Sequence, residues 1–159
     1  NTLHTTLKRY VKRGLLVRVY KGLYALRPIE ELDPREVGIV SLHRYAYVST
    51  ETVLAQTGVV AQLVPCITLV SSVSKRFTLG RQCYRVRQLA DRFLFNMVGV
   101  ITDTGVRTAS KERAIADTLY FNPRMYFDGE QFGTIDWGRV RALQVEIGYP
   151  RTVARGVAP

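Results

Sequence analysis

The sequence contains few of the residues on which metal sites, disulfide frameworks and nucleophilic catalysis depend. Among its 159 residues there are two cysteines, Cys66 and Cys83, and two histidines, His4 and His43. Two cysteines do not form a disulfide framework, and no cysteine–histidine spacing matches a zinc site. Both cysteines lie in apolar segments, and we predict that they are reduced core residues of an intracellular, cytoplasmic protein. The sequence therefore predicts no metal site and no cofactor.

Long apolar runs and enzyme motifs are missing as well. No apolar segment approaches the roughly 18 residues that cross a membrane, and no signal-peptide pattern is present. The sequence also has no phosphate-binding glycine loop, no dinucleotide fingerprint and no nucleophile elbow. With 47% hydrophobic residues, the chain still has enough apolar side chains to build a core. We predict a globular protein that is neither membrane-inserted nor an enzyme, and we assign no catalytic residue.

Acidic residues are missing from the first part of the chain. Residues 1–29 contain seven lysines and arginines and no acid, whereas residues 30–159 contain the other 16 basic residues and all 13 acids. Most of the formal net charge of +10 therefore lies in the first fifth of the sequence. Such a concentration of positive charge indicates an anionic partner, of which nucleic acid is the most direct example.

The basic segment has the pattern of a helix followed by a hairpin. Leu3, Leu7 and Val11 repeat at helical spacing and predict a helix over residues 2–13, which ends at a glycine. The following "LLVRVYKGLYAL" predicts two short strands around a Lys-Gly turn. Helix, glycine and basic ribbon is the order of a recognition helix and its wing in winged helix-turn-helix domains. Residues 1–27 are therefore interpreted as the C-terminal half of such a domain, whose two preceding helices are absent from this sequence.

This hypothesis defines a set of candidate DNA contacts. Residues at the front of a recognition helix face base edges, and lysine and arginine neutralise phosphates. The candidate DNA-binding residues are Thr5, Thr6, Lys8, Arg9, Lys12 and Arg13 on the helix, and Arg18 and Lys21 on the wing, with His4 beside them.

The remainder of the chain mixes helices and strands without regular βαβ alternation, which predicts an α+β domain over residues 34–150, followed by a tail at 151–159. We expect a helix at about 34–46 with Asp33 and Glu36 at capping-box spacing, and a short helix capped by Ser49. Strands are predicted from Ile67 to about residue 108. Two further helices are predicted to begin at caps Ser110 and Asp136.

A second group of basic residues lies in the predicted strands. Arg85 and Arg87 are two residues apart and share one face of a strand. This group extends a DNA-binding surface, docks an acidic partner, or is an ordinary charged face of a half-exposed sheet. Its members are Lys75, Arg76, Arg81, Arg85 and Arg87, with Arg92 nearby.

Three segments resemble one known family. "LLVRVYKGLYAL" is similar to the wing of AbiEi-type antitoxins of type IV toxin–antitoxin systems. "AYVSTETVLAQTGVVAQLVPCITLVSS" resembles the entry to the second domain of that family, and "VRTASKERAIADTLYF" resembles one of its helices. The motif of that helix is matched here by Ala109, Ser110, Glu112, Arg113, Ala114, Ile115 and Asp117. The segments occur in the order of the family and span most of residues 7–121.

The resemblance implies an antitoxin that binds double-stranded operator DNA and represses transcription of its own operon. It also implies a functional partner, a nucleotidyltransferase-like toxin, with which no stable complex is required. Two alternatives come from other classes. One is a protein–protein interaction module whose basic strands dock an acidic partner without specific DNA binding. The other, a nuclease, needs clustered acids around a metal, and the sequence contains no such cluster.

Overall fold

The computed structural model describes residues 2–152 and 154–156. Its helices are α1 (Thr2–Lys12), α2 (Pro34–Ser41), α3 (Glu51–Gln56), α4 (Asp91–Leu94), α5 (Lys111–Phe121), α6 (Gly129–Gly133) and α7 (Trp137–Ile147), with a 3₁₀ helix at Ile29–Glu31. Its strands are β1 (Val17–Tyr20), β2 (Leu23–Ala25), β3 (Ala46–Val48), β4 (Cys66–Ser71), β5 (Lys75–Leu79), β6 (Gln82–Gln88), β7 (Val100–Asp103), β8 (Val106–Ala109), β9 (Tyr126–Phe127) and β10 (Arg155–Gly156).

A six-stranded mixed sheet forms the centre of the molecule. Its strand order is β5-β6-β4-β3-β8-β7. The β4–β6 and β3–β8 pairs are parallel, and the other neighbours are antiparallel. The β1–β2 hairpin and the parallel β9–β10 pair form separate two-stranded sheets. This architecture confirms the predicted α+β class, and β10 shows that part of the predicted tail pairs with the domain.

Helices cover both faces of the central sheet. Leu69 on β4 packs against Gly38 of α2. The next residue, Val70, lies opposite Tyr47 of β3, and the Tyr47 hydroxyl reaches Asp117 of α5. Because consecutive strand residues point to opposite faces, α2 and α5 lie on opposite sides of the sheet. The core is therefore formed on both faces, and the sheet is the shared layer.

Gly38 shows why a glycine occurs within the predicted amphipathic helix. A Cβ atom at this position would lie 2.6 Å from the Tyr84 ring atom Cδ1 and 3.2 Å from Leu69 Cδ1. The glycine therefore lets the backbone of α2 approach the sheet closely. Packing of the helix on the sheet, rather than helix propensity, accounts for its presence.

The helix that was predicted to extend over 34–46 ends at Ser41. Its start is confirmed, because the Arg35 amide donates to Asp33 Oδ1 at 2.8 Å. Beyond the helix, His43 has a φ of 51°, and Ala46 begins β3. The predicted end of the helix is therefore wrong, because His43 adopts a left-handed backbone conformation that a helix cannot continue through.

Two further predicted helix caps are confirmed and one is wrong. The Arg113 amide donates to Ser110 Oγ, and the Arg139 amide donates to Asp136 Oδ1. Ser49 does not cap α3, because the residue before that helix is Thr50, which has a φ of 52°. The Ser49 hydroxyl instead donates to the buried carboxylate of Asp117 at 2.7 Å.

The two cysteines form a disulfide bond, which corrects the prediction of reduced core residues. Cys66 of β4 and Cys83 of β6 are direct neighbours in the parallel register, with Cα atoms 4.5 Å apart. Both are half-buried rather than in the centre of the core. Their proximity results from strand pairing across 17 residues of sequence, which local pattern does not show.

Within the described part of the chain, no helix has the length and apolarity required to cross a membrane.

Candidate nucleic-acid interface

The candidate recognition helix α1 is exposed along most of its length. Thr5, Lys8, Arg9 and Lys12 are exposed, and so is Arg13 just beyond its end; none of the residues of α1 is buried. The basic side chains of α1 are therefore open to an external partner.

Thr6 differs from the other candidate contacts on α1. It is half-buried, and its hydroxyl donates to the Thr2 carbonyl one turn earlier, at 2.9 Å. A threonine hydroxyl that donates to a carbonyl of its own helix already uses its proton in a hydrogen bond. Because of this hydrogen bond and its partial burial, Thr6 is a less direct candidate for base contact in this conformation.

The hairpin predicted as the wing forms with the expected strands and turn. β1 and β2 pair antiparallel around a turn in which Gly22 has a φ of 75°, and a bulge interrupts the register between Arg18 and Tyr20. Glycine is the residue that adopts such a positive φ at least cost. Arg18 and Lys21 are both exposed, so the wing presents one cation on its strand and one at its turn.

The wing is held against the α+β domain by a ladder of aromatic rings. The Tyr20 ring stacks on Phe77 of β5 at 6.1 Å between centroids, and Phe77 stacks on Tyr84 of β6 at 4.9 Å. The Lys75 ammonium lies over the Tyr20 and Phe77 rings and donates to the Tyr20 hydroxyl at 3.1 Å. His43 Nε2 donates to the Lys21 carbonyl at 2.9 Å, which attaches the turn as well.

The apolar stripe of α1 is not covered. Leu3 is 74% exposed and Val11 is 36% exposed, and only Leu7 between them is half-buried. Within the described residues, the contacts that fix this region are therefore those of the hairpin and not those of α1.

The cations of α1 and the wing are not neutralised within the described part of the chain. The ion pairs found there join other residues: Arg35–Asp33, Arg87–Glu51, Lys111–Glu112, Arg113–Asp117 and Arg139–Glu146. Because unpaired exposed cations keep their full Coulomb attraction for an external anion, this surface is electrostatically suited to a polyanion.

The second basic group does not form one surface. Lys75 points to the face of the sheet that holds the wing, where it contacts Tyr20. Its neighbour Arg76 points to the opposite face, together with Arg85, which lies directly across from it. Arg81 lies in the turn between β5 and β6.

Arg87 shares the face of Arg85, as predicted, but it is engaged within the protein. Its guanidinium forms an ion pair with Glu51 and lies over the Phe121 ring at 5.4 Å. Burial favours the neutral form of Glu51, but the hydrogen bond and the charge of Arg87 outweigh it and lower the pKa of that carboxyl. Of the five cations in the second basic group, Arg87 is thus the least available to an external partner.

A buried polar network supports the domain on which the wing docks. Asp117 accepts hydrogen bonds from Arg113 Nε at 2.9 Å, from the hydroxyls of Tyr47 at 3.0 Å and Ser49 at 2.7 Å, and from the Tyr149 hydroxyl at 2.7 Å. Arg113 and Asp117 are both fully buried. The network therefore joins α5 to β3 and to Tyr149, two residues beyond the end of α7.

All three guanidinium nitrogens of Arg113 donate hydrogen bonds. The guanidinium donates to the carbonyls of Asn96 at 2.9 Å and Val98 at 2.7 Å, as well as to the Tyr47 hydroxyl at 3.0 Å. Burial alone lowers the pKa of Arg113, but the charge of Asp117 and the hydroxyls of the nearby tyrosines raise it above its ordinary value. Burial, together with the Asp117 charge, raises the pKa of Tyr47 and Tyr149.

Sequence reasoning did not find this network. Arg113, the ion-pair partner of Asp117, is four residues away on the same helix. Opposite charges at that spacing lie on the same helix face and were the available signal. The residues contributed by β3 and by Tyr149 gave no local signal, because they meet only in the folded chain.

Comparison with protein-family models, with characterised proteins and with solved structures found no match to this chain.

Proposed function

We propose that the protein is a DNA-binding antitoxin that represses transcription of its own toxin–antitoxin operon. The observation that supports this most directly is the exposed, unneutralised set of cations on α1 and the wing. The resemblance of three ordered segments to AbiEi-type antitoxins supports the same conclusion. In this proposal the chain has a binding role and no catalytic residue, and the protein acts in the cytoplasm, where its operator lies.

The roles within the interface follow from position. Lys8, Arg9 and Lys12 of α1 contact base edges and phosphates in the major groove, and Arg18 and Lys21 of the wing contact phosphates beside it. Thr5 contributes a base contact at the front of the helix. The aromatic ladder beneath Tyr20 sets the angle between the wing and the domain, so the wing meets the duplex in a defined orientation.

The proposal includes a second activity, protection against a nucleotidyltransferase-like toxin. No stable complex with the toxin is required, because the antitoxin of a type IV system counters the effect of the toxin. Co-expression with the product of the neighbouring gene tests this part. Growth that is restored by the antitoxin supports it, and a neighbouring gene without toxicity contradicts it.

Fluorescence anisotropy of the full-length protein with duplex DNA from upstream of its own gene tests the DNA-binding part. We expect binding that is tighter than to a scrambled duplex and that weakens steeply between about 50 and 200 mM salt. The Lys8→Gln and Lys12→Gln variants are each expected to reduce the salt slope by about 1. Equal affinity for scrambled DNA would contradict specific repression, and affinity independent of salt would contradict the phosphate contacts.

A further inference from the structure

The pairing of β5 and β6 brings two arginines of the second basic group face to face. Arg76 and Arg85 are direct partners in the antiparallel register. Side chains that are directly opposite in such a pair share a face, with Cβ atoms about 5 Å apart. Both residues are exposed. Their guanidinium groups are therefore close enough to contact the same external group.

A like-charged pair in this position is unfavourable unless something neutralises it. Like charges directly opposite each other destabilise a sheet. Two residues along β6 on the same face, Arg87 has Glu51 as an ion-pair partner. Neither Arg76 nor Arg85 has such a carboxylate within the described residues. On this face, Arg87 thus has a carboxylate partner, whereas Arg76 and Arg85 have none within the described residues.

The pair also lies at the edge of the sheet that holds the wing. Arg76 is between Lys75 and Phe77, and these two residues of the edge strand β5 contact Tyr20 of the wing from the other face. Arg76 and Arg85 point to the opposite face from the wing, so the arginine pair and the attachment of the wing lie on the two faces of the same edge, about 3.4 Å apart along β5. A duplex that contacts both the wing and the arginine pair therefore has to run along this edge of the sheet.

We propose that Arg76 and Arg85 together bind one phosphate of the DNA backbone next to the wing contact. The planar guanidinium groups suit this ligand, because each donates paired hydrogen bonds to phosphate oxygens. The contact would position the α+β domain on the duplex and would add affinity without sequence preference. This inference rests on the proposed DNA-binding function and extends the interface from the winged-helix segment to the central sheet.

The double variant Arg76→Gln/Arg85→Gln tests the inference in the same anisotropy titration of the full-length protein. We expect the slope of log affinity against log salt to fall by about 0.9, the value for one phosphate contact. We expect the weakening to be equal for the upstream duplex and a scrambled duplex. Each single variant should change the slope by less than half as much as the double variant, because the remaining arginine still binds the phosphate.

A double variant with the same loss of charge provides the control. Arg124 and Arg141 are exposed arginines outside β5 and β6, and Arg124→Gln/Arg141→Gln should leave the slope at the wild-type value. A wild-type slope in Arg76→Gln/Arg85→Gln would overturn the inference even if the protein binds DNA. The inference would also be overturned if Arg76→Gln/Arg85→Gln no longer bound an acidic protein partner but bound DNA as the wild-type protein does.

The two proposals fail differently. If the wild-type protein shows no salt-dependent DNA binding, the proposed function fails, and the phosphate contact fails with it. If wild-type binding is present and is lost only in the α1 variants, the function stands and the phosphate contact is wrong. Urea unfolding of Arg76→Gln/Arg85→Gln should give at least wild-type stability, because the change removes a like-charged pair.

Discussion

Arg113 and Asp117 form an ion pair at 2.9 Å, one turn apart on α5, with neither side chain exposed to solvent. A buried pair of this kind is stable only when its remaining hydrogen-bonding capacity is satisfied. Here carbonyls and tyrosine hydroxyls satisfy both partners. The pair therefore determines how α5, β3 and Tyr149 beyond α7 fit together, and thus the rigidity of the body that supports the wing.

Replacing Asp117 with asparagine is expected to destabilise the fold by about 3–5 kcal/mol, because Arg113 would remain buried without its counter-charge. Urea unfolding monitored by circular dichroism measures this change. The exposed pair Arg139–Glu146 provides the control, and Glu146→Gln should change the free energy of unfolding by less than about 0.5 kcal/mol. Similar small effects at both positions would show that the buried network does not support the fold.

Replacing Gly38 with alanine is expected to destabilise the protein by about 1–3 kcal/mol, since the added methyl group would overlap the Tyr84 ring. The matched control is Gly133→Ala at the end of α6, where nothing lies within 4 Å of an added Cβ. That variant should be neutral or slightly stabilising. Thermal unfolding of the two variants compares them directly, and an unchanged melting temperature for Gly38→Ala would refute the close packing of α2.

The alkaline stability of the protein depends in part on Tyr84. Burial, with a smaller effect of the Asp33 charge, raises the pKa of Tyr84 to about 12 from an ordinary value of 10. The hydroxyl donates to the Pro34 carbonyl at 2.7 Å, which requires its proton. Because the folded pKa is raised, this contribution to stability is complete below pH 10 and is lost as the pH rises through about 12.

Urea unfolding as a function of pH tests this expectation. The decline in stability of the wild-type protein above pH 10 should be shallower in Tyr84→Phe, which has no hydroxyl to ionise. Below pH 10 the variant should be less stable by about 1 kcal/mol, the contribution of one hydrogen bond. Parallel pH profiles for the two proteins would contradict the assignment.

Tyr20 is expected to control the attachment of the wing rather than the stability of the domain. Tyr20→Ala removes the ring that stacks on Phe77 and the hydroxyl that accepts from Lys75. Amide exchange in β1 and β2 should accelerate, while exchange in β3 and β4 stays at the wild-type rate. Tyr126→Ala, at an exposed tyrosine on β9, is the control and should leave the hairpin unchanged. Uniform acceleration throughout the sheet would instead indicate global destabilisation.

The Cys66–Cys83 disulfide is expected to contribute about 3 kcal/mol to stability, because it closes a loop of 17 residues in the unfolded chain. Reductant should lower the denaturant midpoint of the wild-type protein and leave that of Cys66→Ser/Cys83→Ser unchanged. An equal response of both proteins would exclude the bond.

The sequence by itself determined the local features of this protein. The stripe of Leu3, Leu7 and Val11 predicted α1, and the Lys-Gly turn predicted the β1–β2 hairpin. Ser110 and Asp136 predicted the starts of two helices. These features depend on contacts between residues a few positions apart, so their patterns are visible in a linear chain.

Only the tertiary structure decided which distant residues meet. β3 lies between two predicted helices and was not predicted from its pattern, because a short, fully buried strand has no period of its own. Strand pairing brought Cys66 to Cys83 and Arg76 to Arg85, and chain packing brought Tyr47, Ser49 and Tyr149 to Asp117. These contacts depend on register and on the placement of whole elements, which no local pattern encodes.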